Sequence, residues 1–111
     1  MPRQSVFEMK LSKVYPLLVA KAEKKGRSKA EVDEVISWLT GYDMATVDLD
    51  MTYAEFFKNA PAYNPRAEMI TGSVCGVKVE SIEDPLMKKI RQLDKLVDEL
   101  AKGKPMEKIL R

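Results

Sequence analysis

The stretch "DPLMKKIRQLDKLVDELAKG", Asp84 to Gly103, decides how the chain must fold. Asp84 can cap a helix and Pro85 suits its first position, where a missing N–H costs little, while Gly103 supplies the stop. The spacing predicts a helix over about 85–102, the longest in the chain. Leu86, Ile90, Leu93, Val97 and Leu100 recur at intervals of four and three, a heptad seam about two heptads long. Leu96 and Met87 widen that seam into a broad stripe, which favours packing against other helices of the same chain, with a homodimer contact through Leu86–Leu100 as the alternative. On the opposite face Asp94 and Asp98 stand one turn apart. Arg91, Lys95, Lys88 and Lys102 surround them, so a solvated charged face outweighs a metal or acid/base pair.

Working outward, "SKAE" (Ser28–Glu31) and "TYAE" (Thr52–Glu55) both fit the capping box, in which hydroxyl and carboxylate reciprocally satisfy backbone N–H groups. After the first box, Val32, Val35, Ile36 and Leu39 follow at helical spacing and Gly41 stands where a left-handed C-terminal residue is usual. Upstream, Leu11, Val14, Tyr15, Leu18 and Ala22 predict a helix from about 12 to 25, with Ser12 as its cap and Pro16 near its first turn. The second box opens a short helix that ends before Pro61. Residues 42–51 read as a connection. Asn64 and Pro65 predict a helix to about Thr71, against a β-hairpin through Gly72 or Gly76. Val77 and Val79 alternate around Lys78 as a short strand that could pair with "VFEM" at 6–9, and Pro105 begins a final turn or two.

The expected fold is therefore mostly α: a single compact domain, 1–111, of about five helices with at most a small two-stranded sheet. The alternative is an α+β fold with a hairpin at 69–80, winged-helix-like. An ordinary balance of 45% apolar and 32% charged residues over 111 residues supports one core. A chain of this size has little room for a deep cavity, so a ligand site should be a surface groove.

The absence of histidine excludes Cys–His and Ser–His nucleophile pairs and histidine zinc sites within one chain. The single cysteine, Cys75 in "TGSVCGVKVE", has only Lys78 nearby to activate it, and a structural role beside turning glycines outweighs a reactive thiol. No cofactor is expected. The longest apolar run, Val14 to Ala20, contains Pro16 and is far short of the ~20 residues that a membrane-spanning helix needs. The start lacks a secretory apolar stretch, and with one cysteine this points to the cytoplasm.

Charge is uneven although the net is +2. Residues 1–30 carry eight basic side chains against two acidic ones, whereas 31–64 carry one against seven. Lys21, Lys24, Lys25 and Arg27, around the end of the first helix, form the candidate anion or nucleic-acid contact. A loose helix–turn–helix likeness is offset by Glu31, Asp33 and Glu34, since an acidic recognition helix would repel DNA. Trp38 and Tyr42 are the candidate small-molecule groove, although the aromatics Trp38, Tyr42, Tyr53, Phe56, Phe57 and Tyr63 read first as the centre of the core.

Two long segments, "VYPLLVAKAEKKGRSKAEVDEVISWLTGYD" (Val14–Asp43) and "CGVKVESIEDPLMKKIRQLDKLVDELAKGKPMEKILR" (Cys75–Arg111), resemble the bacterial domain of unknown function 2200 family. The resemblance implies a small cytosolic bacterial protein and brings no activity, cofactor or catalytic residue. The expectation for function is a non-enzymatic binding or protein-interaction module. A nucleic-acid-associated protein using the basic first helix is the alternative, and an enzyme acting through Cys75 or carboxylates ranks last.

Overall fold

The long helix is the axis of the molecule. In the computed structural model, which describes residues 8–74 and 76–110, the order is α1 (Leu11–Glu23), α2 (Lys29–Thr40), α3 (Tyr53–Lys58), a 3-10 helix (Pro65–Met69), β1 (Ser73–Val74), β2 (Val77–Lys78), a 3-10 turn (Val79–Ser81), α4 (Pro85–Ala101) and α5 (Met106–Ile109). The Asp84 carboxylate accepts from the backbone N–H of Leu86 and Met87, at 2.9 and 3.3 Å, which satisfies two donors that a helix start leaves open. Helices α1, α2, α3 and α5 and strand β1 all touch α4. Ile90, Leu93, Leu96, Val97 and Leu100 are at most 1% exposed within one chain. The mostly α reading with a small two-stranded sheet therefore describes the molecule, and the described residues share one core.

The stripe named as a possible dimer seam is covered within the chain. Its wide apolar face is already filled by the chain's own helices, so Ile90, Leu93, Val97 and Leu100 present nothing to a second copy, and only Leu86 is half-buried.

Both capping boxes form. Glu31 N–H donates to the Ser28 hydroxyl and Ser28 N–H to the Glu31 carboxylate, at 3.2 and 2.9 Å. Thr52 and Glu55 repeat the arrangement at 3.2 and 2.9 Å. At the other end of α2, Gly41 adopts φ 82°, and a Cβ there would meet the Ala62 Cβ at 2.8 Å. Ala62 and Asn64 lie so close because they close the helix end: Ala62 N–H donates to Thr40 O, Asn64 N–H to Leu39 O and the Asn64 amide to Trp38 O. The start of α1 differs from expectation. It begins at Leu11 rather than being capped by Ser12, because Leu11 and Ser12 N–H donate to the carbonyls of Met51 and Leu49.

The segment after Asn64 holds both structures that compete for it, in succession. Asn64 caps the segment and Pro65 leads it, yet it is a 3-10 helix ending at Met69, not an α-helix to Thr71. Gly72 (φ 102°) and Gly76 (φ 79°) then bend the backbone through a hairpin in which Ser73 faces Lys78 and Val74 faces Val77. Strand β2 thus pairs with β1. Val6, Phe7 and Cys75 lie outside the described residues. Met9 and Lys10 join the α3 start, through Tyr53 N–H to Met9 O at 2.7 Å and a Lys10–Thr52 bridge.

Arg27 fastens the two ends of the fold. Its Nε and Nη2 donate to one Glu31 carboxylate oxygen at 3.0 and 2.7 Å, and its Nη1 donates to Lys104 O at 3.0 Å.

Two measurements test the packing of α4 and the Arg27–Glu31 pair. Leu93→Ala should cost about 2–5 kcal/mol in denaturant unfolding, whereas Leu17→Ala, on the exposed side of α1, should stay within about 0.5 kcal/mol. The Arg27 hydrogen bond, followed by the Ser28 N–H, holds the Glu31 carboxyl below its ordinary 4.5. A group depressed in the folded state stabilises above its unfolded value, and that contribution is lost as pH falls through the folded value. Glu31→Gln should flatten this part of the acid-side stability curve in urea titrations at stepped pH; an unchanged slope contradicts the pairing.

Candidate functional site

On α1 the stripe Leu11, Val14, Leu18 and Ala22 turns inward. Leu17, Ala20, Lys21 and Lys24, recurring at three and four residues, share another face that meets the end of α4. There Asp98, Ala101 and Lys102, again three and four apart, complete a cleft of about 520 Å³ with Lys25 at its rim. Leu17 is 62% exposed, so the cleft carries an apolar patch beside its charges.

The electrostatics are strongly one-sided. Asp98 is shared between Lys21 at 3.6 Å and Lys102 at 3.1 Å. Lys24 and Lys25 have no carboxylate partner among the described residues. Four ammonium groups thus face a single carboxylate, a field suited to an anionic partner.

Of the four basic residues singled out by sequence, Lys21, Lys24 and Lys25 line the cleft. Arg27 does not, because its guanidinium is spent on Glu31 and Lys104. Leu17 and Lys102 belong to the site but were missed in that role. The signal for Leu17 is its position off the helical stripe of an otherwise buried run, and Lys102 joins only through the packing of α4 on α1. Asp94 and Asp98 do not converge: Asp94 pairs with Arg91 at 3.3 Å while Asp98 serves the lysines. Burial raises the Asp94 carboxyl, with Arg91 opposing the shift.

Trp38 and Tyr42, the candidate groove residues, sit partly buried at the edge of the core. Tyr42 stacks on Phe56 at 4.5 Å between ring centroids and its hydroxyl donates to Phe56 O at 2.7 Å, so the ring serves the core edge. Trp38 is half-buried against that core. Neither residue lines this cleft or the recess beside Gln92.

A tyrosine and a carboxylate tie α1 to α2 nearby. The Tyr15 hydroxyl donates to Asp33, which also receives Lys29 at 2.9 Å. Lys29 also lies over the Tyr15 ring, and its contacts with Tyr15 first and Asp33 second push its ammonium above the ordinary value. Among the described residues no three metal-ligating side chains gather, and no helix is long and apolar enough to cross a membrane.

Comparison with known proteins places the chain without assigning it an activity. A crystal structure of an uncharacterized protein, SP1917, is similar at 50% identity, with a TM-score of 0.89 over 98% of this chain and 93% of that one. No curated protein matches. The description "Uncharacterized protein conserved in bacteria (DUF2200)" matches residues 5–111. With that match spanning nearly its whole length, the chain belongs to the DUF2200 family of uncharacterized bacterial proteins.

Proposed function

We propose that the protein is a non-enzymatic binding module whose α1–α4 cleft takes an acidic segment of a partner protein. The observation that carries this reading is the joining of an exposed leucine to four lysines around one carboxylate. Lysines alone would be an ordinary solvated face. Leu17 is different: covering a leucine side chain is worth about 1.5–3 kcal/mol, and the cleft brings Ala20 and Ala101 beside it. A segment with an apolar side chain between carboxylates would use both features. The small cleft favours a transient complex steered by charge over a permanent one.

Nucleic acid is the second reading, since the same lysines could neutralise phosphates. It makes no use of Leu17, the exposed apolar side chain of the cleft. The absence of histidine supports the non-enzymatic reading by excluding the commonest general base.

An isotope-labelled sample titrated with a short peptide of glutamates and leucines at helical spacing tests this. Amide shifts should concentrate on 17–25 and 98–102, weaken with salt, and vanish in the Lys24→Glu, Lys25→Glu double variant while thermal stability is kept. Tighter binding of a DNA duplex at the same residues would overturn the peptide reading in favour of nucleic acid. No response to either would remove the cleft as a binding surface.

A further inference from the structure

We infer that a second recess, between the 3-10 helix Pro65–Met69 and the first half of α4, binds a small planar molecule carrying one anionic group, of the nucleoside monophosphate kind. The recess encloses about 390 Å³, within the size range of small-molecule sites. It lies away from the cleft described above and shares no lining residue with it.

Its chemistry is set by Gln92, a primary amide only 4% exposed. The Tyr63 hydroxyl donates to Gln92 Oε1, and Gln92 Nε2 donates to Ala67 O at 3.2 Å. Burial raises the Tyr63 phenol, so it stays a donor and holds Oε1 as the acceptor. A primary amide has two N–H groups and two oxygen lone pairs. One of each is thereby committed, and one of each is left on adjacent atoms of a side chain that lines the recess. Both polar atoms of Gln92 are paired within the chain, and a ring edge with a neighbouring donor and acceptor, as in a nucleobase, would use the second N–H and the second lone pair.

The walls fit the same ligand. Tyr63 supplies an aromatic surface, and Pro65 and Pro85 supply rigid apolar ones. Lys88 and Lys89 stand on the α4 side, with Lys89 Nζ 4.8 Å from the Tyr63 ring centroid. Neither lysine makes an ion pair among the described residues. Two cations beside an aromatic wall suit one anionic group attached to a planar ring. Glu68, on the 3-10 helix side, would repel a second anionic group there.

The test is titration of the labelled protein with the four nucleoside monophosphates and, separately, with inorganic phosphate, following the Gln92 side-chain amide signals. At least one monophosphate should shift those signals saturably, and Lys88→Ala with Lys89→Ala should weaken its binding at least about tenfold at unchanged thermal stability. Gln92→Leu removes the amide but also strips Tyr63 and Ala67 of their partner, so the two lysine variants decide should it fail to fold. If phosphate alone reproduces every shift with equal affinity, the planar half of the inference is wrong. If no monophosphate moves the Gln92 amide at millimolar concentration, or the lysine variants bind as tightly, the site is rejected.

Discussion

Burial of the apolar face of α4 is the interaction on which the other elements depend. Helices α1, α2, α3 and α5, strand β1 and the 3-10 turn Val79–Ser81 each contact that one helix. Four of these elements, α3, β1, the 3-10 turn and α5, are six residues or shorter, lengths at which isolated helices and strands are marginal in water. Their stability has to come from packing. Phe56, Phe57, Val74 and Ile109 each contribute buried side chains to the core that α4 organises.

Placement on that axis is finished by backbone chemistry rather than by further apolar contact. Carbonyls at 49–51 receive the first N–H groups of α1, residues 62–64 cover the last carbonyls of α2, and Arg27 joins the start of α2 to Lys104 beyond α4. These fastenings hold α1 against α4 in a register that sets Leu17 and three lysines beside Asp98 and Lys102. The cleft is thus a product of the same packing that fills the core; Lys21 and Lys102 share Asp98 there, while Lys24 and Lys25 have no carboxylate partner among the described residues.

Much of the architecture is legible in the sequence because its signals are local. Ser28 and Glu31, Thr52 and Glu55, and Asp84 with Pro85 each act within a single turn, and each marks a helix start in the structure. The segment 65–78 is harder, because Asn64–Pro65 and the two glycines give successive instructions over a few residues. A 3-10 helix followed at once by a hairpin satisfies both. The candidate site is less legible still. Arg27 sits among the basic residues in sequence, but its partner Lys104 is 77 positions away. Lys102 and Lys21 come together only through α1–α4 packing, and no local period announces it. A heptad seam, too, looks the same whether the helices that fill it belong to one chain or two; the wider stripe with Leu96 is what separates the cases.

The central claim is that one chain covers the α4 stripe by itself. Amide hydrogen exchange across α4, measured at several protein concentrations, tests it most directly. Ile90 to Leu100 should exchange only through global unfolding, with protection independent of concentration. Protection that rises with protein concentration would show that a second copy covers the stripe, and would contradict the account.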